Sequence, residues 1–184
     1  NIMTQVEGIK TVYCFDLFEE KAQAMADWAQ ETYGMKGIAT TDLQEALKDS
    51  DFVTVAASRI KPLHIENAWL KKGATVLLSG PARGDDDFWL KNRIVYDHIG
   101  LHEAYVEEAI ASGDKQNYYN SVIGGPIYER IDDGKLPALL DSTSIGQIIL
   151  GEKEGRKSDD EIFIFIACGM AVFDVGWGYE LNLT

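Results

Sequence analysis

Short apolar runs separated by amphipathic segments limit most strongly what this chain can fold into. Phe52-Val53-Thr54-Val55-Ala56-Ala57 and Ala74 to Leu78 are apolar almost throughout. A strand with one wet face alternates, whereas a strand apolar along its whole length needs cover on both faces. Thr11 to Phe15, Arg93 to Tyr96 and Glu161 to Ala167 read the same way. Between them lie helical patterns. Glu19 to Thr32 places Ala22, Met25, Ala26 and Ala29 on one stripe. A second helix opens at Thr41-Asp42, with Glu45 at capping-box spacing from Asp42, and ends near Ser50. A short helix carries Ile65, Ala68, Trp69 and Leu70, and Asp86 to Leu90 forms a helical turn. Strand and helix in alternation predict an α/β fold with a doubly wound parallel sheet.

From His102 the pattern shifts. Glu103 to Ser112 reads as helix, Asp114 to Ser121 as loop, and Tyr128 to Asp133 as helix stopped by Gly134. Ser142 or Thr143 caps a helix through Leu150, and Met170 to about Tyr179 forms the last helix. The whole of 1–184 is thus expected to be one α/β domain, with 101–160 partly a helical extension.

The chain has 184 residues and a formal charge of −13, with 46% hydrophobic residues. It has enough apolar residues for a real core. Its acidity argues against nucleic acid and against anionic membranes, since both require a basic face. No apolar stretch nears the roughly 18 residues of a membrane-spanning helix. Cys14 and Cys168 each sit inside an apolar run, which fits buried free thiols in a reducing cytoplasm better than a disulfide framework.

Several residues are candidates for chemistry. Asp16 ends the Thr11 to Phe15 strand, where a carboxylate can accept both hydroxyls of an adenosine ribose and repel a 2′-phosphate, favouring NAD over NADP. The same residue could instead be a solvated carboxylate in the turn to the next helix. Ala56, Ala57 and Ser58 end one strand, and Ser79 and Gly80 end another. Small residues there admit a ligand's close approach, or simply tight packing. Cys168 and Gly169 sit where the last strand hands over to a helix. Asp85-Asp86-Asp87 looks like a metal cluster, but three consecutive carboxylates cannot converge on one ion, and a solvated helix start is expected. His98 and His102, four apart, have zinc-like spacing on a helix. Gly100 between them argues for a break and a polar loop.

The order and spacing of these segments resemble the ornithine cyclodeaminase/mu-crystallin family. The matching stretches are Val12 to Asp16, Thr54 to Pro62, Trp69 to Gly73, Gly151 with Gly155-Arg156, Ser158-Asp159, and Ile162 to Gly169 with Ala171 and Asp174. Gly100-Leu101, Glu103-Ala104, Val175 and Trp177-Gly178 are similar to a clostridial-type branch of that family named after tyramine oxidase. The resemblance implies a Rossmann domain holding a nicotinamide cofactor, with Asp16, Ala56, Ala57, Ser58, Ser79, Gly80, Cys168 and Gly169 lining its site. It also implies a first strand and glycine loop upstream of Asn1, and a separate domain for substrate contacts and homodimer formation. The implied substrate is an amino acid, imine or small amine. Two departures stand out. Pro81 occupies the position of the family's catalytic aspartate, which puts an ammonia-eliminating cyclisation in doubt. Ile166 and Ala167 replace a polar pair, which implies a drier nicotinamide pocket.

Overall fold

A computed structural model describes residues 7–57, 62–169, 175, 178 and 179. The chain divides into two compact units. The first runs to Asp51 and takes in Trp69–Lys71; the second holds Phe52–Ala68 and the chain from Lys72 onward.

In the first unit, β1 (Thr11–Phe15) and β2 (Lys36–Thr40) pair in parallel, joined by helix α1 (Glu19–Tyr33). The α1 stripe is alanine-rich for a steric reason. Ala22, Ala26 and Ala29 are buried, and a β-carbon on Gly37 of β2 would fall 2.2 Å from the carbonyl oxygen of Ala26. Helix and strand therefore touch backbone to backbone. Helix α2 (Leu43–Leu47) is capped by Asp42, whose carboxylate accepts from the N–H groups of Gln44 and Glu45. The expected capping box forms only in part: the Glu45 carboxylate accepts from the Thr40 hydroxyl instead, and that hydroxyl oxygen receives the Asp42 N–H.

The second unit carries a four-stranded, wholly parallel sheet. Its strands are β3 (Phe52–Val55), β5 (Thr75–Leu78), β7 (Arg93–Tyr96) and β8 (Phe163–Ile166), in the order β3-β5-β8-β7. The pleat buries Val76 and Leu78 of β5 and Ile164 and Ile166 of β8 completely, while Thr75, Leu77, Phe163 and Phe165 on the other face are half-buried. The edge strand β7 is partly covered, since Tyr96 N–H donates to the Thr143 carbonyl at 2.9 Å. A parallel pair, β4 (Leu63–Ile65) and β6 (Ala82–Gly84), lies beside helix α3 (Asp86–Leu90), whose Phe88 packs on Gly84.

Helices α4 (Ile99–Ala111), α5 (Lys115–Ser121), α6 (Gly125–Asp132) and α7 (Ile145–Ile149) fill the stretch between β7 and β8. Three sequence expectations change here. Asp114 to Ser121 is a helix rather than a loop, because the Asp114 carboxylate caps it through Asn117 N–H and Tyr119 packs into a cluster with Ala109 and Tyr128. The α7 cap is Ser144, which forms a capping box with Gln147, rather than Ser142 or Thr143. Ile65 ends a strand, followed by a 3-10 turn at Asn67–Trp69, where a helix was expected. Most of the expected last helix lies outside the described residues.

Candidate functional site

Register places the site. Val55, Leu78 and Ile166 are successive partners across the sheet, and Ile166 also pairs with Tyr96. Four parallel strands therefore end level, and the ladder extends by the same step at each junction. Ser79 N–H donates to Val55, Ala167 N–H to Leu78 and Asp97 N–H to Ile166, at 3.0 to 3.1 Å. The residues just past the tips are Ala56-Ala57, Ser79-Gly80, Asp97, and Ala167-Cys168-Gly169. Open parallel sheets bind ligands at this C-terminal edge.

Most of the edge is made of small residues. Ala56, Ser79 and Gly169 are exposed, whereas Ala57 and Cys168 are half-buried. Gly80 is buried against the backbone of Ala56 and Ala57. Gly169 has φ +85°, a left-handed conformation that side chains other than glycine rarely adopt. The Ser79 hydroxyl donates to the Val55 carbonyl at 3.1 Å. Ser58 lies outside the described residues.

Asp97 was not singled out by sequence reasoning, yet it is the polar centre of this edge. Its carboxylate is buried and accepts four N–H groups. Oδ1 takes His98 N–H at 2.9 Å and His102 Nε2 at 2.8 Å, and Oδ2 takes Cys168 N–H at 2.8 Å and Gly169 N–H at 3.2 Å. Burial is the largest single influence on this carboxyl and opposes its charge. The hydrogen bonds from His102, His98 and Cys168, with the field of His102, outweigh it and hold the group below its ordinary value. Behind it, His102 Nδ1 meets the Tyr128 hydroxyl at 2.6 Å. Burial pushes the Tyr128 phenol far up, so it keeps its proton. A carboxylate only accepts, so Nε2 of His102 carries hydrogen, and Nδ1 shares a hydrogen bond with the Tyr128 hydroxyl. Tyr96 packs edge-on against the same imidazole, with ring centroids 4.7 Å apart.

Of the histidine pair, only His98 fits the expected polar loop. His102 is fully buried on α4, and Gly100 lies within that helix, whereas His98 is exposed just before it. The signal that could have found Asp97 was already used for Asp16, an acid immediately after an apolar strand.

The remaining candidates resolve simply. Asp16, at the end of β1 in the first unit, is half-buried, and its Oδ1 accepts Phe18 N–H at 3.0 Å. The three aspartates diverge. Asp85 caps α3 through Phe88 N–H, Asp86 pairs with Arg130 at 2.8 Å, and Asp87 pairs with Lys91 at 2.5 Å. No group of three or more metal-ligating side chains exists among the described residues. Cys14 is buried and its thiol is pushed up by burial, whereas Cys168 is only half-buried, contrary to expectation. Among the described residues no helix is long and apolar enough to cross a membrane.

The family model for the ornithine cyclodeaminase/mu-crystallin family matches residues 1–180. The chain belongs to this family. A Delta(1)-pyrroline-2-carboxylate reductase from Bacillus thuringiensis subsp. konkukian is 29% identical over 170 residues, covering 92% of this chain and 48% of that protein. An N-((2S)-2-amino-2-carboxyethyl)-L-glutamate dehydrogenase from Staphylococcus aureus is 24% identical over 181 residues, covering 97% of this chain and 48% of that protein. The chain spans about half the length of the curated relatives it matches. Among solved structures, an archaeal alanine dehydrogenase dimer with bound NAD superposes with a TM-score of 0.69 at 24% identity, covering 96% of this chain and 50% of that one. The iminosuccinate reductase of Paracoccus denitrificans in complex with NAD+ gives 0.64 at 18% identity, covering 95% and 56%. These structural likenesses establish the fold, which is α/β and Rossmann-like with a parallel sheet.

Proposed function

We propose that this chain is the nucleotide-holding part of an NAD(H)-dependent oxidoreductase acting on an amino acid, imine or small amine. The observation that carries the reading is the level C-terminal edge of four parallel strands, finished in small residues that leave backbone open to a flat ligand. The names of the relatives agree, being reductases and dehydrogenases of imino and amino acids.

In this reading Asp16 holds the adenosine ribose. One carboxylate oxygen is engaged by Phe18 N–H, and the other has no partner among the described residues. A carboxylate there disfavours the extra phosphate of NADP. Ala56, Ala57, Ser58, Ser79 and Gly80 line the cleft, with Cys168 and Gly169 at the nicotinamide end. The bound cofactor supplies the hydride chemistry, and the chain's residues bind, orient and exclude water. The reading extends to one nucleotide-binding domain over 1–184, a cytoplasmic location, and a homodimer formed through a domain outside these residues. Anaerobic titration of the full-length protein with NAD and NADH tests it. Absence of binding at millimolar cofactor would end it.

Pro81 supports a second reading, a non-catalytic nicotinamide-nucleotide-binding protein or a companion subunit of another enzyme. It follows Gly80 directly and has no proton to give or take. Tight cofactor binding without turnover across an imino-acid and amine panel favours this reading, whereas steady NADH oxidation with any imino acid removes it.

A further inference from the structure

Nothing in the proposed hydride transfer requires the most heavily bonded polar group on the edge. A buried carboxylate is costly unless every lone pair is used. Asp97 uses four, two of them on consecutive N–H groups of a turn 71 and 72 residues away. Consecutive N–H groups that converge on one point form a concave anion-binding site, which in nucleotide proteins can hold phosphate. Here the left-handed Gly169 helps to shape that site, and the chain's own carboxylate fills it. The two N–H groups are therefore committed internally. The turn has no free N–H pair to offer a phosphate.

We propose that Asp97 is a positioning residue: its carboxylate fixes the Cys168–Gly169 turn, and through that turn the nicotinamide end of the site, while His102 and Tyr128 hold the carboxylate in register. The cofactor part of this inference rests on the nucleotide-binding reading above. The groups form one hydrogen-bonded chain. The Tyr128 hydroxyl and His102 Nδ1 share a hydrogen bond, His102 Nε2–H donates to Asp97, and Asp97 receives the turn. Each member fixes the next, and all three are buried. An amide in place of the carboxylate keeps the volume but turns a donor toward one of the two N–H pairs, so one side of the hub opens.

The test uses the full-length protein, Asp97→Asn and Tyr128→Phe. Three quantities are measured: the Kd for NADH, the Kd for ADP-ribose (which lacks the nicotinamide), and amide hydrogen exchange. Asp97→Asn is expected to weaken NADH about tenfold while leaving ADP-ribose within about twofold, and to speed exchange at residues 168 and 169 about tenfold with β8 unchanged. Equal weakening of both ligands marks general damage and overturns the proposal, as do unchanged affinities with unchanged exchange. Should the wild type bind neither ligand, the nucleotide reading fails. Exchange at 168 and 169 then decides alone: faster exchange in Asp97→Asn upholds the turn-holding role, and unchanged exchange rejects it. Where Asp97→Asn does not fold, Tyr128→Phe is expected to show the same split at about two- to threefold; wild-type values in all three measurements overturn the proposal.

Discussion

Gly80 sits so close to Ala57 that a β-carbon built on it falls 2.9 Å from the Ala57 carbonyl oxygen and 3.0 Å from its nitrogen. Both neighbours are backbone and cannot swing aside, so any side chain at position 80 must push the tips of β3 and β5 apart. Gly80→Ala is therefore expected to destabilise the protein by about 1–3 kcal/mol, the usual range for overpacking. A thermal melt checks this, and an unchanged Tm would mean that the two tips can part without cost.

Asp97 gives the protein an acid limit. Its carboxyl titrates lower in the folded state than unfolded, so the folded state binds fewer protons as pH falls. The stabilisation is complete above the unfolded value of about 3.9 and disappears as pH drops through the folded one. Urea melts between neutrality and acid should show this loss in the wild type and a flatter profile in Asp97→Asn. Parallel profiles would show that the group's charge contributes nothing to stability.

Alkali acts through the buried phenols. Burial pushes Tyr96 up to about 12, a little relieved by its hydrogen bond with Ser142. An unfolded chain releases that proton near pH 10. Stability is thus full below about pH 10 and declines as pH rises toward 12, with Tyr128 shifted in the same direction. Tyr96→Phe should shallow this alkaline decline when phenolate absorbance and unfolding are followed together. An unchanged slope would place the loss on other groups.

Asp16 provides the cofactor test. Asp16→Ser is expected to raise the NADH Kd about tenfold and to reduce the preference for NADH over NADPH, since a carboxylate's hydrogen bonds are worth about 1.5–3 kcal/mol. Fluorescence titration of the full-length protein with both nucleotides reads this directly. Equal affinities in variant and wild type would leave Asp16 as a turn residue that only holds Phe18.

The strands were legible as short apolar runs, although Phe52 and Thr54 are exposed where cover on both faces was expected. Phe52 to Val55 and Thr75 to Leu78 lie within the apolar runs read from sequence. The level edge followed less directly, because its small residues mark strand ends but the shared register depends on pairing between distant segments. What escaped notice depended on contacts remote in sequence. Asp114 to Ser121 is polar and aromatic, and becomes helix because Asp114 caps it and Tyr119 packs beside Tyr128. His102 looked like half of a surface pair until Asp97 and Tyr128 closed around it. Asp97 itself was overlooked because its partners Cys168 and Gly169 are 71 and 72 residues further along.

The common finishing line of the four strands divides labour within the molecule. Cohesion resides in Val76, Leu78, Ile164 and Ile166, which are sealed from solvent, whereas Ala56, Ser79 and Gly169 stand outside that seal. Side chains at Ala56 and Ser79 can therefore change without touching the scaffold's interior, whereas Gly169 is tied to glycine by its left-handed backbone.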